Sequence, residues 1–132
     1  MLYHINFLGV IMKDVWGVIC SGLCIVHCLF IPVLFVLGVS SASIAYLESE
    51  WVHLVLAVPM ITLAVWSIFL GWRAHRQVKP IVFASSGLIL LFSSLIAAEQ
   101  YEVYLATTAG LLLISAHLSN LKLVKQTTAQ WA

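Results

Sequence analysis

Cys20-Ser21-Gly22-Leu23-Cys24-Ile25-Val26-His27-Cys28-Leu29-Phe30-Ile31-Pro32 lies inside an apolar run, Val15 to Val39, that carries no Asp, Glu, Lys or Arg. About 25 residues is the upper end of what a tilted helix needs to cross a bilayer. An α-helix turns once in about 3.6 residues, so Cys20, Cys24 and Cys28 stack into one slowly drifting stripe with His27 beside it. They are the only cysteines in the chain. The stretch therefore reads as a membrane helix carrying three thiols and an imidazole on one face.

Composition supports the membrane reading. The chain of 132 residues is 63% hydrophobic and 8% charged, with a mean hydropathy of +1.09. Soluble domains carry roughly a quarter charged residues, so this chain lacks the charge to coat a water-facing surface. A net charge of +1 and the absence of a long basic run give no reason to expect nucleic acid as a partner. The opening, Met1 to Met12, has no basic n-region, and Lys13-Asp14 follows its apolar part, so no cleaved signal peptide is expected.

Working outward, Lys13 and Asp14 mark the start of a first span at about 15–39. A link rich in small residues ends in Glu48-Ser49-Glu50, and a second span covers about 51–72. Trp51 and Trp72 bracket it as interfacial aromatics do, about 31 Å apart on a helix. Arg73-Ala74-His75-Arg76-Gln77-Val78-Lys79-Pro80 is the one basic cluster. Pro80 suits the first turn of a third helix, where a missing N–H costs little, and that span reaches about 80–98. Glu99, Tyr101, Glu102 and Tyr104 form the next connection. A fourth span covers about 103–121, followed by Lys122 and Lys125 in a polar tail.

Short connections make consecutive helices antiparallel neighbours. The expected fold is thus an all-α, single-domain, four-transmembrane-helix antiparallel bundle spanning 1–132. Basic residues occupy the start, the central connection and the tail, while the other two connections hold only glutamates. The positive-inside rule then puts both termini in the cytoplasm. Small residues on the third helix (Ser85, Ser86, Gly87, Ser93, Ser94) and the fourth (Ala106, Gly110) permit close helix approach.

These spans set depths for the polar groups at about 1.5 Å per residue. His53 forms an outer rung, Cys24, His27 and Cys28 a central one, and Cys20, His117 and Asp14 an inner one. Pro32 removes the helical hydrogen bond to the Cys28 carbonyl, and Pro59 does the same to Val55; each freed carbonyl needs another partner in lipid. A buried cysteine is often only a small hydrophobe, and an intramembrane histidine often only bonds across to a neighbouring helix. The coincidence of three thiols and His27 on one stripe, at a depth where ionisable groups are functional candidates by default, favours a metal site. His4 and His75, outside the spans, are expected to be solvated.

The pattern Asp14, Gly17, Ser21, Leu23-Cys24, His27-Cys28, Pro32 resembles the opening helix of MerC-type membrane proteins. Gly71-Trp72-Arg73-Ala74-His75-Arg76 and Ser115-Ala116-His117-Leu118-Ser119-Asn120 resemble the end of that domain's second helix and its fourth helix. The resemblance covers essentially the whole chain. It implies a multi-pass protein of the bacterial inner membrane that moves a thiophilic ion inwards, mercuric ion in the best-known members. It also implies Cys24 and Cys28 as metal-relaying thiols, and His27, His53 and His117 as the domain's histidines. The sequence differs from the mercury-resistance members in carrying Cys-x-x-His-Cys in place of Cys-x-x-Cys, and in having no cysteine pair in its tail.

Ligand chemistry leaves the ion open. Two thiolates with two imidazoles form a tetrahedral zinc set, whereas sulfur alone suits copper(I) or mercury(II). Thiols must ionise to bind metal, so loading releases protons. The expected passage runs from Glu48, Glu50 and His53 to Cys28, His27 and Cys24, then to Cys20, His117 and Asp14. Such a small bundle has little room for a shielded path, which makes a homodimer an alternative assembly. Two other readings stand beside transport: a metal or haem binder that does not transport, with histidines as axial ligands, and a purely structural membrane subunit. Cysteines four apart on a rigid helix are poorly placed for disulfide exchange, and no hydrolytic constellation is visible, so no enzyme is expected.

Overall fold

The computed structural model describes residues 2–38, 47 and 49–130, with backbone alone for 2–6, 35, 50 and 99. Four helices follow one another: α1 (Leu2–Val36), α2 (Glu50–His75), α3 (Lys79–Ser94) and α4 (Glu99–Gln130). Among the described residues there is no strand, so the all-α expectation holds. Three stretches, Phe7–Leu34, Trp51–His75 and Gln100–Gln130, are long and apolar enough to cross a membrane, and Lys79–Ser94 is a shorter apolar helix.

The contacts fix the helix directions. Asp14 on α1 meets Ser67 on α2 and both His117 and Asn120 on α4 at one end of the bundle. At the other end His27 on α1 meets His53 on α2, and His53 meets Glu102 on α4. The chain therefore runs up in α1 and back down in α2. It rises again in α3, after a three-residue turn, and descends in α4. The helix α4 packs against all three others, most extensively against α3 and α1. Phe7 and Val10 at the start of α1 pack on Val124 near the end of α4, which puts the first and last turns at the same end.

Small residues make this packing close. Cys24, Cys28, Ala57, Met60, Ala64, Leu91, Ala106, Ala109 and Leu113 form the largest core cluster. The large side chains Leu23, Val26, Phe30, Val55, Trp66, Phe92 and Leu111 point outward. That inside-out pattern is what a bundle in lipid requires, because tails solvate large apolar groups and helix association depends on close packing.

The helices differ in extent from the expected spans, for local reasons. The first begins at Leu2, so Lys13 and Asp14 lie within it and do not mark its start. Asp14 turns inward to protein donors, while Lys13 Nζ reaches the Gly9 carbonyl (3.4 Å) and sits over the Trp66 ring. Val39, the expected end of the span, lies outside the described residues. The helix α2 stops where Arg76 takes a left-handed conformation (φ 57°) and its N–H caps the Trp72 carbonyl. The ring of His75, half-buried at this end, accepts the Gln77 N–H through Nδ1 at 3.0 Å. Pro80 then opens α3 as expected. That helix ends at Ser94 and not at Ala98. The Ser93 and Ser94 hydroxyls bond back to the Ile89 and Leu91 carbonyls, and such local bonds compete with helix continuation. The expected polar tail is helical: Val124 is buried, and Thr127 and Thr128 bond back to the Leu123 and Val124 carbonyls.

Ala109 has no exposed surface and sits where α4 meets the core. Ala109→Leu should overpack this contact and lower stability by about 1–3 kcal/mol, read as a fall in thermal midpoint of the detergent-solubilised protein by circular dichroism. Leu111→Ala, on the outward face of the same helix, should leave the midpoint nearly unchanged.

Candidate metal centre

One face of α1 carries Asp14, Gly17, Ser21, Cys24, Cys28 and Ile31, all buried. Their spacing of three and four residues is the helical repeat, so a single stripe of polar and sulfur groups runs through an apolar interior. Two clusters form at its two ends.

At the Cys28 end, the thiols of Cys24 and Cys28 approach to 4.0 Å as free cysteines. Two sulfurs each about 2.3 Å from a tetrahedral zinc would lie about 3.8 Å apart, so the pair is spaced to share one ion. Cys28 also lies against the His53 side chain. The rings of His27 and His53 meet edge to face, their centroids 5.3 Å apart. His53 Nδ1 is 3.1 Å from Glu102 Oε1, which leaves Nε2 as the nitrogen available to Cys28. An open cleft of about 620 Å³ gathers His27, Cys28, Pro32, His53 and Glu102 on its walls. Pro32 leaves the Cys28 carbonyl without its helical donor, which adds an oxygen to the donors at this end.

These groups meet as pairs. Among the described residues, no three His, Cys, Asp or Glu side chains already surround a common point. The outer and central rungs expected from depth alone thus merge into one cleft, with Cys24 buried behind Cys28. Because the rings of His27 and His53 are in contact, no macrocycle fits between them as axial ligands. Glu48 lies outside the described residues, and the side chain of Glu50 is outside them as well.

At the other end, Asp14 has no exposed surface. Its Oδ1 accepts the Ser67 hydroxyl at 2.7 Å and His117 Nδ1 at 2.8 Å. Its Oδ2 accepts Asn120 Nδ2 at 2.8 Å. The network continues outward through His75. Since Nδ1 of that ring accepts the Gln77 N–H, its hydrogen is on Nε2, which donates to Asn120 Oδ1 at 2.9 Å. This fixes the Asn120 amide with its NH₂ toward Asp14 and the Ser67 carbonyl. Two glycines make room: a Cβ on Gly17 would collide with the His117 ring, and one on Gly71 with the Asn120 amide. His117 and Asp14 do come together as the inner rung required, but Cys20 takes no part in their hydrogen bonds and packs against the apolar core instead.

Residues 14–122 match the family model described as MerC mercury resistance protein. The chain belongs to the MerC family. No curated protein and no solved structure matches it. Both clusters fall within the matched residues, so the MerC-family stretch begins at the buried carboxylate and ends just past Asn120. The chain is accordingly a MerC-family membrane protein.

Sequence reasoning missed Ser67, His75, Glu102 and Asn120. Asn120 follows His117 by three residues, which places both on one helix face, and this spacing was the available signal. Ser67 and Glu102 carried none, since their partners lie far along the chain.

Asp14→Ala would remove the shared acceptor of Ser67, His117 and Asn120, leaving the buried His117 N–H without a partner at about 1–3 kcal/mol. Ser67 would keep only the Val10 carbonyl at 3.5 Å, and Asn120 only the Ser67 carbonyl at 3.3 Å. The detergent-solubilised variant should melt far below wild type, and Gly17→Ala should lose about 1–3 kcal/mol through the clash with His117. Wild-type melting of both variants would show that the network does not hold α1, α2 and α4 together.

Proposed function

We propose that this MerC-family protein binds a thiophilic or borderline metal ion at the Cys28 cleft and passes it inwards across the bacterial inner membrane. One observation carries the reading. Cys28, His27, His53 and Glu102 line a single cleft, with the Cys24 thiol 4.0 Å behind that of Cys28. Sulfur and imidazole donors favour zinc, mercuric ion or copper(I) over hard cations. The ion is the cargo. It is held by the Cys24 and Cys28 thiolates together with one or both histidines, after small side-chain rotations bring the pairs onto one point.

Orientation supports inward passage. Lys13, Arg73, Arg76 and Lys79 belong to the end of the bundle opposite the cleft, as do Lys122 and Lys125. The positive-inside rule makes that end, with both termini, cytoplasmic, so the cleft opens outward. The Glu102 carboxylate on His53 is the outer-shell arrangement that orients a metal-binding imidazole and raises its basicity. Cys20, Asp14 and His117 are left out of the ligand set. Cys20 packs in the core, and the Asp14 oxygens are already occupied by protein donors. No nucleotide-binding motif occurs in the sequence, so passage draws on the ion gradient or the membrane potential.

The test is elemental analysis of protein purified in mild detergent without chelator and then offered zinc, copper(I) or mercury(II). Wild type should retain near-stoichiometric metal and Cys24→Ser/Cys28→Ser should retain none; cells expressing the double variant should lose metal uptake. Glu102→Gln should weaken metal affinity about 10–100-fold, as loss of an outer-shell partner does. Equal metal contents and uptake in wild type and the double variant would overturn the assignment.

A further inference from the structure

The six lysines and arginines of the chain gather at the end of the bundle away from the cleft, and three of them meet on one outward face of α2. Positions 66, 69, 72 and 73 fall within about a third of a turn on a helix of 3.6 residues. Trp66 and Phe69 on this face are 56% and 54% exposed, and Arg73 and Arg76 are exposed as well. Lys13 Nζ, reaching over from α1, lies 5.0 Å from the Trp66 ring centre. The Arg73 guanidinium lies 6.0 Å from that of Phe69, and the Arg76 guanidinium 5.3 Å from that of Trp72. The rings of Phe69 and Trp72 are themselves neighbours, 6.4 Å apart, so the two guanidinium groups stand on one aromatic platform.

This face has cations and no anion. Among the described residues, no ion pair engages a lysine or an arginine. Asp14 is buried and committed to its own donors, and Glu102 sits on His53 at the far end. Cations gathered without a counter-ion repel one another, and aromatic faces offset this only in part. The backbone supplies an independent observation. Arg76 ends α2 with φ 57°, a conformation for which glycine is the usual residue. An arginine there keeps local strain together with a guanidinium held over a ring, and retained strain of this kind clusters at ligand clamps.

We propose that this face of α2 binds the headgroup of an anionic phospholipid, with the phosphodiester between the Arg73 and Arg76 guanidinium groups. The planar guanidinium fork pairs with phosphate oxygens two at a time. Trp72 suits headgroup depth, where amphipathic rings collect. Lys13 adds positive charge deeper on the same face, its ammonium turned back toward the bundle end at the Gly9 carbonyl as long cationic side chains do in lipid. An acyl chain runs along the exposed Phe69, Val65 and Val58. The positive-inside rule gives this end to the cytoplasmic leaflet, whose surface carries anionic lipid. The site lies about 30 Å along α2 from His53 and does not rest on the metal reading of the cleft.

The test places the full chain in phosphatidylcholine vesicles that contain a minor fraction of phosphatidylglycerol brominated on its acyl chains, beside vesicles with brominated phosphatidylcholine instead. Bromine quenches the fluorescence of tryptophans it meets, Trp66 and Trp72 among them. Each cation near an anionic headgroup is worth about fivefold in affinity, so wild type should prefer phosphatidylglycerol by about tenfold or more. Arg76→Gly suits the left-handed turn while removing the guanidinium, and it should cut the preference about fivefold. Arg73→Gln, at an exposed helical position, should do the same, and it decides should Arg76→Gly not fold. Lys122→Gln/Lys125→Gln removes two cations of the same end from α4 and should keep the preference. Equal quenching of wild type by the two brominated lipids would overturn the site. So would a loss in Lys122→Gln/Lys125→Gln as large as in Arg73→Gln/Arg76→Gly, because diffuse charge and no defined face would then attract the lipid.

Discussion

The carboxylate of Asp14 ties three helices together at a point that water does not reach. Ser67 on α2 and His117 and Asn120 on α4 all donate to it, so α1 has one register against its two neighbours. In lipid the hydrophobic effect does little to choose among packings of apolar helices, because tails and side chains are equally apolar. Directional bonds to a buried charge, and the space opposite Gly17 and Gly71, make that choice. With the register set, the rest of the α1 stripe follows. Ser21, Cys24 and Cys28 face the interior because they share a helix face with Asp14.

That register also delivers the metal candidates. The stripe brings Cys28 beside His53, and the antiparallel path of α2 and α4 brings His53 beside Glu102. The two ends have different characters. The Cys28 end is an open cleft where thiols, imidazoles and a carboxylate meet in pairs. The Asp14 end is closed and already satisfied by protein donors. The open cleft and the satisfied carboxylate thus lie at opposite ends of one helix face, with the buried Ser21 between them.

Much of the architecture was legible in the sequence. Long uncharged runs, Trp51 and Trp72 at the ends of one of them, and Pro80 at the head of α3 announced the helices through length, interfacial chemistry and backbone restriction. That the cysteines share one helix face followed from helical period alone. Helix ends were less legible. Lys13-Asp14 looked like a membrane boundary because a charged pair normally stays in water, yet Asp14 is buried inside a continuous helix. Lys122 and Lys125 looked like a tail, yet Val124 between them is held by Phe7 and Val10. In each case a partner from a distant segment reversed what local polarity implied.

Composition, span length and the spacing of Cys20, Cys24 and Cys28 determine by themselves that this chain is a helical membrane protein with its thiols on one stripe of one helix. These properties depend on residues near one another in the chain and on the period of the helix. Only the tertiary structure decides that Cys28, with Cys24 behind it, meets His53 while Cys20 packs in the apolar core, and that Asp14 is a buried hub. Its partners Ser67 and Asn120 lie 53 and 106 residues away. Such pairings depend on how three helices pack side by side, a relation that neither local polarity nor helical period encodes.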